Sequence, residues 1–257
     1  METKIVQKFG NGGHIVLPKE YVGKRIRFIA EPKTFDDIKS EVWEILKPHS
    51  SNILGVYLYG SYARGEQAVD SDVDILAITN TKLKIAEKAD NYSIISVTME
   101  EIDDVLNANP VLILPILKEA RTIINPVLLD RYKSYKFTKG NVKSFADSCK
   151  NIIELNKKGL EMDFEIGSLV YSLMLRIRGL SMIKFDFHGR QYSKSSLFIL
   201  LEDNGLKRHK IKELYNIYSN ERNNVNVRES GIIKKEDIKK LISIAEKLLE
   251  DLAILLR

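Results

Sequence analysis

Between two apolar runs the chain reads LYGSYARGEQAVDSDVDILAI, Leu58 to Ile78, and this stretch concentrates the residue types that can do chemistry. Asp72 and Asp74 open the run DVDILAIT, and in a strand side chains two apart face the same side. Carboxylates held so close repel each other unless a divalent cation joins them. Hard oxygen ligands beside phosphate point to Mg²⁺, with Mn²⁺ as its substitute. Upstream, Gly60 ends an apolar strand where a side chain would obstruct close backbone approach. Ser61 follows with a hydroxyl and an N–H, which together suit a phosphate oxygen. Arg64, in a Gly-flanked turn, adds a cation within reach of the same phosphates. A phosphate clamp next to a metal-binding carboxylate pair is an arrangement for phosphoryl or nucleotidyl transfer. An NTP would be held through its β and γ phosphates at Gly60 and Ser61, with Asp72 and Asp74 fixing the metal at the α-phosphate.

Such a site needs two adjoining strands, and the surrounding sequence supplies them. A helix is predicted over TFDDIKSEVWEILKP, with Thr34 as N-cap, Asp37 in the capping-box position and Ile38, Val42, Ile45 and Leu46 on one face. Pro48 stops it. Strand ILGVYLYG, the loop, strand DVDILAIT, a helix around Leu83 to Ala89 and strand YSIISVT follow. Helical EEIDDVLNA and PVLILPILKEA, a short strand RTIIN and a helix from Pro126 complete an α/β or α+β domain with a mixed sheet, ending near Lys136. From about Asn141 no strand pattern occurs, and helices are expected at Val142 to Leu160, Asp163 to Lys184, Ser193 to Asp203, Lys207 to Asn220 and Lys235 to Leu256. The apolar stripes Ile166 to Leu180 and Ile238 to Leu255 read as the core of an all-α bundle. At the other end, residues 1–35 read as a small β module: strand KIVQKF, turn GNGG, strand HIVLP, a short helix KEYVG and strand KRIRFI. That piece is too small to bury a core, so it is expected to form a homodimer or dock on its neighbour. The expected division is therefore 1–34, 35–137 and 138–257.

The chain has 257 residues, 44% hydrophobic and 29% charged, enough for a packed core and too many for one small domain. Its net charge is +5, and four of those positive charges lie in the first 35 residues, which carry seven basic and three acidic side chains. Nucleic-acid contact is to be sought there first. The single cysteine, Cys149, excludes an internal disulfide and a thiolate metal cage, and suits a reducing cytoplasm. The longest apolar run, PVLILPIL, is too short to span a bilayer, so no membrane partner is expected.

The stretch GSYARGEQAVDSDVDILAI resembles the signature of the DNA polymerase β-like nucleotidyltransferases, in particular their minimal branch, with Gly60, Ser61, Ala63, Arg64, Gly65, Ser71, Asp72 and Asp74 in order and spacing. The resemblance covers about Thr34 to Lys136. It implies Asp72 and Asp74 as catalytic metal ligands, Gly60, Ser61, Arg64 and Ser71 as nucleotide-binding residues, and ATP as the expected NTP. Relatives carry a third carboxylate on a later strand as base for the attacking hydroxyl, and YSIISVTMEE puts Ser93 in its place. A serine of ordinary pKa cannot act so. Glu100, Glu101 and Asp103 are near in sequence, but carboxylates at a helix start are ordinary dipole partners.

The N-terminal segment resembles AbrB-like DNA-binding modules, which implies phosphate contacts from Lys8, Lys19, Lys24, Arg25 and Arg27. His14 lacks a second His or Cys at ligand spacing. The C-terminal helices resemble the HEPN-type bundles that accompany minimal nucleotidyltransferases, carried by LVYSLMLRIRGLSMIKF and LYNIYSNERNNVNVRES. The second segment has Arg222, Asn223 and Arg228 but no His, which disfavours RNA cleavage. Tyr171, Arg176 and Arg178 are candidates to face the cleft.

The sequence thus points to a cytoplasmic Mg²⁺-dependent enzyme that moves NMP from an NTP to a hydroxyl and releases pyrophosphate. A protein, an RNA end or a small molecule fits equally as acceptor. The rival reading, motivated by Ser93 and the basic N-terminus, is a catalytically impaired, nucleotide-binding DNA regulator or antitoxin-like protein.

Overall fold

The computed structural model describes residues 4–69, 71–85, 88–89, 91–111, 113–222 and 233–256. The chain forms two compact units, Met1–Pro32 and Lys33–Arg257.

In the first unit, β1 (Gln7–Phe9) and β2 (Gly12–His14) pair antiparallel around Gly10, whose φ of 57° is the left-handed conformation such a turn requires. A 3₁₀ turn covers Lys19–Tyr21. The strand expected over KRIRFI does not form. Its apolar residues alternate as a strand would, but a strand exists only through a ladder partner, and the three-residue strands β1 and β2 pair only with each other. No described residue of this unit is buried, and Phe9, Val22, Phe28 and Ile29 stand in the open.

The second unit is built on a five-stranded sheet of order β5-β6-β4-β3-β7. Its strands are β3 (Ile53–Tyr59), β4 (Val73–Thr79), β5 (Lys88–Ala89), β6 (Tyr92–Thr98) and β7 (Arg121–Ile124). The pair β4 and β6 is parallel and the other neighbours are antiparallel, so the sheet is mixed, as expected. The helix expected around Leu83 to Ala89 is not found among the described residues: residues 83–85 have no regular structure, and the short β5 is hydrogen-bonded back onto β6. A helix of seven residues is under two turns, too short to outweigh a ladder partner next in the chain.

Strands β3 and β4 are apolar on both faces because both faces are covered. Val56, Leu58, Ile75 and Ala77 meet Ile38, Val42 and Leu46 of α1 (Phe35–Leu46). Tyr57, Leu76 and Ile78 meet residues of α3 (Met99–Ala108), α4 (Leu114–Glu119) and α5 (Pro126–Lys133). The capping box Thr34–Asp37 starts α1, as the sequence predicted. Between β3 and β4 lies α2 (Gly60–Arg64), one turn of helix where the sequence suggested only a loop.

The remainder is all helical among the described residues: α6 (Lys139–Glu161), α7 (Ile166–Phe187), α8 (Lys194–Asp203), α9 (Arg208–Arg222) and α10 (Lys235–Leu255). Both predicted stripes lie in its core: Leu169, Val170, Leu173, Met174, Ile177 and Leu180 of α7 against Ile238, Leu241, Ala245, Leu248 and Leu252 of α10. By length and composition α7 could cross a bilayer, but 61% of its most apolar window is buried inside the protein, as befits a bundle's central helix. The packing joins bundle and sheet: Phe137 touches both cores, and Lys118 of α4 pairs with Asp186 of α7.

Candidate active site

The register of β3 against β4 sets Tyr59 opposite Asp74, so the last residue of one strand and the second of the next share a face. Gly60 then turns the chain at a φ of 75°. A Cβ there would lie 2.9 Å from Asp74 Cγ and nearer still to Oδ2, so two steric reasons exclude a side chain at Gly60. The close approach read from the sequence is therefore against Asp74 itself. Ser61 stands in the first turn of α2, half-buried. Gly65, at φ 70°, closes the helix, and the Glu66 N–H returns to the Ser61 carbonyl at 2.9 Å. Ser71 pins the loop before the acidic pair, its Oγ accepting the Ala68 N–H at 2.8 Å and its N–H donating to the Ala68 carbonyl at 3.1 Å.

Asp72, just before β4, is exposed, whereas Asp74 is half-buried. Burial pushes the Asp74 carboxyl up to about 6, with the charges of Asp72 and Glu119 adding to it and those of Arg222 and Arg64 opposing it. Burial is thus the main reason the ionised form of Asp74 is disfavoured. Among the described residues no group of three or more His, Cys, Asp or Glu side chains could hold a metal. The donor set is thus two carboxylates, which suits Mg²⁺, an ion that keeps several waters and takes further oxygens from a bound phosphate.

Arg64 does not stand alone before this pair. Its Nε donates to Glu66 Oε2 at 2.8 Å and its Nη1 to Glu119 Oε2 at 2.7 Å. Glu119 Oε1 in turn accepts the Gly60 N–H at 2.9 Å. Glu66 reaches the bundle, accepting the N–H groups of Lys194 and Ser195 at 3.3 and 3.4 Å in the first turn of α8. Burial alone would raise the Glu66 carboxyl, but the hydrogen bonds from Arg64 and Lys194 outweigh it and hold it below the usual range.

Parallel pairing places Ser93 of β6 directly beside Asp74, on the same face of the sheet. That is the position expected to carry a third carboxylate, and it offers a hydroxyl. Of the acidic residues nearby in sequence, Glu101 closes a capping box with Thr98 and pairs with Lys82, and Asp103 pairs with Arg131 at 3.4 Å. Glu100 is exposed on the first turn of α3. The carboxylate that does reach the site, Glu119, escaped the sequence reading. Its only signal was a charged pair, Lys118-Glu119, closing an apolar helix just before an edge strand.

A wall of the bundle carries bases and aromatics. Arg178 of α7 donates to the Tyr218 hydroxyl at 3.2 Å and lies over the Tyr192 ring at 5.5 Å. Tyr171 stacks on Tyr218, and Lys194 lies 4.3 Å over Tyr215. Burial raises the Tyr59 hydroxyl, the charge of Asp74 adds to that, and Arg222 and Arg178 oppose it, so the cations of this wall act on the strand end. Arg176 acts instead on Cys149, on the α6 side. The candidates Asn223 and Arg228 lie outside the described residues. Lys8, Lys19, Lys24, Arg25 and Arg27 are all exposed in the N-terminal unit, and His14 sits edge-on to Phe9.

Residues 40–126 match the family described as Polymerase beta, Nucleotidyltransferase. No curated protein matches the chain. The fold is similar to that in the crystal structure of spectinomycin adenyltransferase AAD(9) from Enterococcus faecialis with ATP and spectinomycin. The TM-score is 0.52 at 16% identity, over 84% of this chain and 99% of that one.

Proposed function

We propose that the protein transfers a nucleoside monophosphate from an NTP, with ATP the preferred donor, to a hydroxyl acceptor, releasing pyrophosphate. The observation that carries this reading is Gly60 turned tightly against Asp74, with Asp72 adding its charge to the same point. That arrangement sets a helix-starting serine beside an acidic pair of which one member is half-buried. Asp72 and Asp74 would hold Mg²⁺, or Mn²⁺, which supplies charge neutralisation at the α-phosphate. Ser61 contributes its hydroxyl and N–H to the triphosphate, because the Gly60 N–H is already given to Glu119. Arg64 lends positive charge from its braced position, and Ser71 keeps the loop in register. Arg222 and Arg178, whose charges act on Asp74 or Tyr59 at the strand end, favour the anionic donor from the bundle side. A bond forms between the acceptor oxygen and the α-phosphorus as the bond to the bridging oxygen breaks. Ser93 cannot take the acceptor's proton, which passes to solvent water instead, so slow turnover is expected.

The fold shared with an enzyme crystallised with ATP and spectinomycin supports a small hydroxylated acceptor over a protein or an RNA end. A division into catalytic residues 35–137 and a HEPN-like acceptor-shaping bundle, 138–257, follows from this reading, as does a cytoplasmic location. The test is incubation with Mg²⁺ and α-labelled ATP, following pyrophosphate release and label transfer. Transfer abolished by replacing Asp72 and Asp74 with Asn is the expected result; unchanged ATP affinity in the double variant would sink the assignment.

The five exposed bases of the N-terminal unit favour a second role, salt-dependent DNA binding by an AbrB-like module that presents nucleotide state to a promoter or toxin partner. In that version ATP binds without transfer.

A further inference from the structure

Glu119 has no part in the chemistry above, yet its side chain is only 12% exposed and both its oxygens are engaged. Its two partners belong to the phosphate turn. The Gly60 N–H falls where the β3 ladder ends and α2 begins, a helix whose N-cap, Tyr59, gives no side-chain bond. Without an acceptor this donor would be left orphaned. A neutral acceptor would satisfy it without setting another negative charge near Asp74. The charge of Glu119 is accounted for by its second partner: with Glu66 on Nε and Glu119 on Nη1, the Arg64 guanidinium is fixed in a single plane. The same chain continues through Glu66 to the start of α8, so one run of hydrogen bonds sets Gly60, Arg64 and the bundle wall together.

We propose that Glu119 is a positioning residue for nucleotidyl transfer: it holds Gly60 and Arg64 so that the turn lies against Asp74 with Ser61 aimed at the phosphates. This rests on the transfer reading. A group that sets geometry without touching substrate acts on the rate at saturation more than on affinity, since transfer requires near-attack alignment and binding does not. Residues that orient a site from behind are worth about 10- to 100-fold.

The experiment measures the rate of label transfer from α-labelled ATP, with Mg²⁺ and cell extract as the acceptor source, for wild type, Glu119→Gln and Glu119→Ala. Rate at saturating ATP, half-saturating ATP and melting temperature are read together. Gln still accepts the Gly60 N–H, so its saturated rate should fall about 10-fold at most, and that of Ala on the order of 100-fold, with half-saturating ATP within about threefold of wild type. Recovery of the greater part of the loss by Gln, at a temperature where all three are folded, identifies positioning. Wild-type rates in both variants, or a loss in Ala that vanishes well below its melting temperature, would overturn the inference alone. A wild-type protein whose transfer is absent or independent of Asp72 and Asp74 overturns the transfer reading and this inference with it.

Discussion

At the scale of single residues the site turns on Asp74, a carboxylate half-buried beside like charge. Its pKa is raised from 3.8 to about 6, so ionisation costs the folded state. The contribution to stability is complete below pH 4 and is lost as the pH climbs through about 6, giving a difference on the order of 3 kcal/mol at most. In EDTA, Asp74→Asn should therefore melt close to wild type at pH 4 and several degrees above it at pH 7.5. Millimolar Mg²⁺ should raise the wild type selectively and close the gap. A wild type that gains on the variant as the pH rises would show that Asp74 is stabilised by a partner rather than strained by burial. The sequence disclosed this pair, and Gly60 with it, because both are local: two residues in one strand and a glycine that no side chain can replace. Glu119 was hidden because its bonds to Gly60 and Arg64 span 59 and 55 residues, a distance over which residue type carries no register.

Elements explain which acidic residues are structural. The capping box at Thr98 uses both the N–H and the carboxylate of Glu101, with bonds of 3.1 and 2.9 Å, and α3 points that carboxylate back along its own axis. Glu101→Gln keeps the acceptor for the Thr98 N–H and should leave label transfer within about twofold, while Thr98→Ala should cost about 1 kcal/mol of stability with the saturated rate unchanged. A transfer rate that collapsed in Glu101→Gln alone would instead make Glu101 the missing base. Elements were also where the sequence was most readable. Five bundle helices and four of the sheet's strands were anticipated, since long apolar stripes and buried strand runs declare their period. What failed was short. β5 has two residues and is defined by its neighbour, α2 is a single turn, and the run KRIRFI has a strand's alternation with no partner to pair against.

The molecule as a whole divides its tasks unevenly. Among the described residues, every buried member of the three core clusters lies at Ile38 or later, and none in the N-terminal unit. Among the described residues the longer unit therefore holds the burial that stabilises a fold, and the shorter one holds an excess of exposed basic and apolar side chains. Deleting residues 1–32 should leave the melting temperature of the remainder within a degree or two and its ATP affinity unchanged. The same deletion should remove binding to duplex DNA. In the full chain that binding should weaken steeply with salt: neutralising five phosphates through Lys8, Lys19, Lys24, Arg25 and Arg27 implies a slope of log affinity against log salt of about −4 to −5. The two activities are then separable by one cut, and titrating full-length protein into duplex DNA with and without ATP and Mg²⁺ asks whether they are coupled. An affinity that shifts with nucleotide, and stops shifting when Asp72 and Asp74 are replaced by Asn, would mean that the transfer site also reports to the basic unit. DNA binding that survives the deletion would move the nucleic-acid surface to the longer unit.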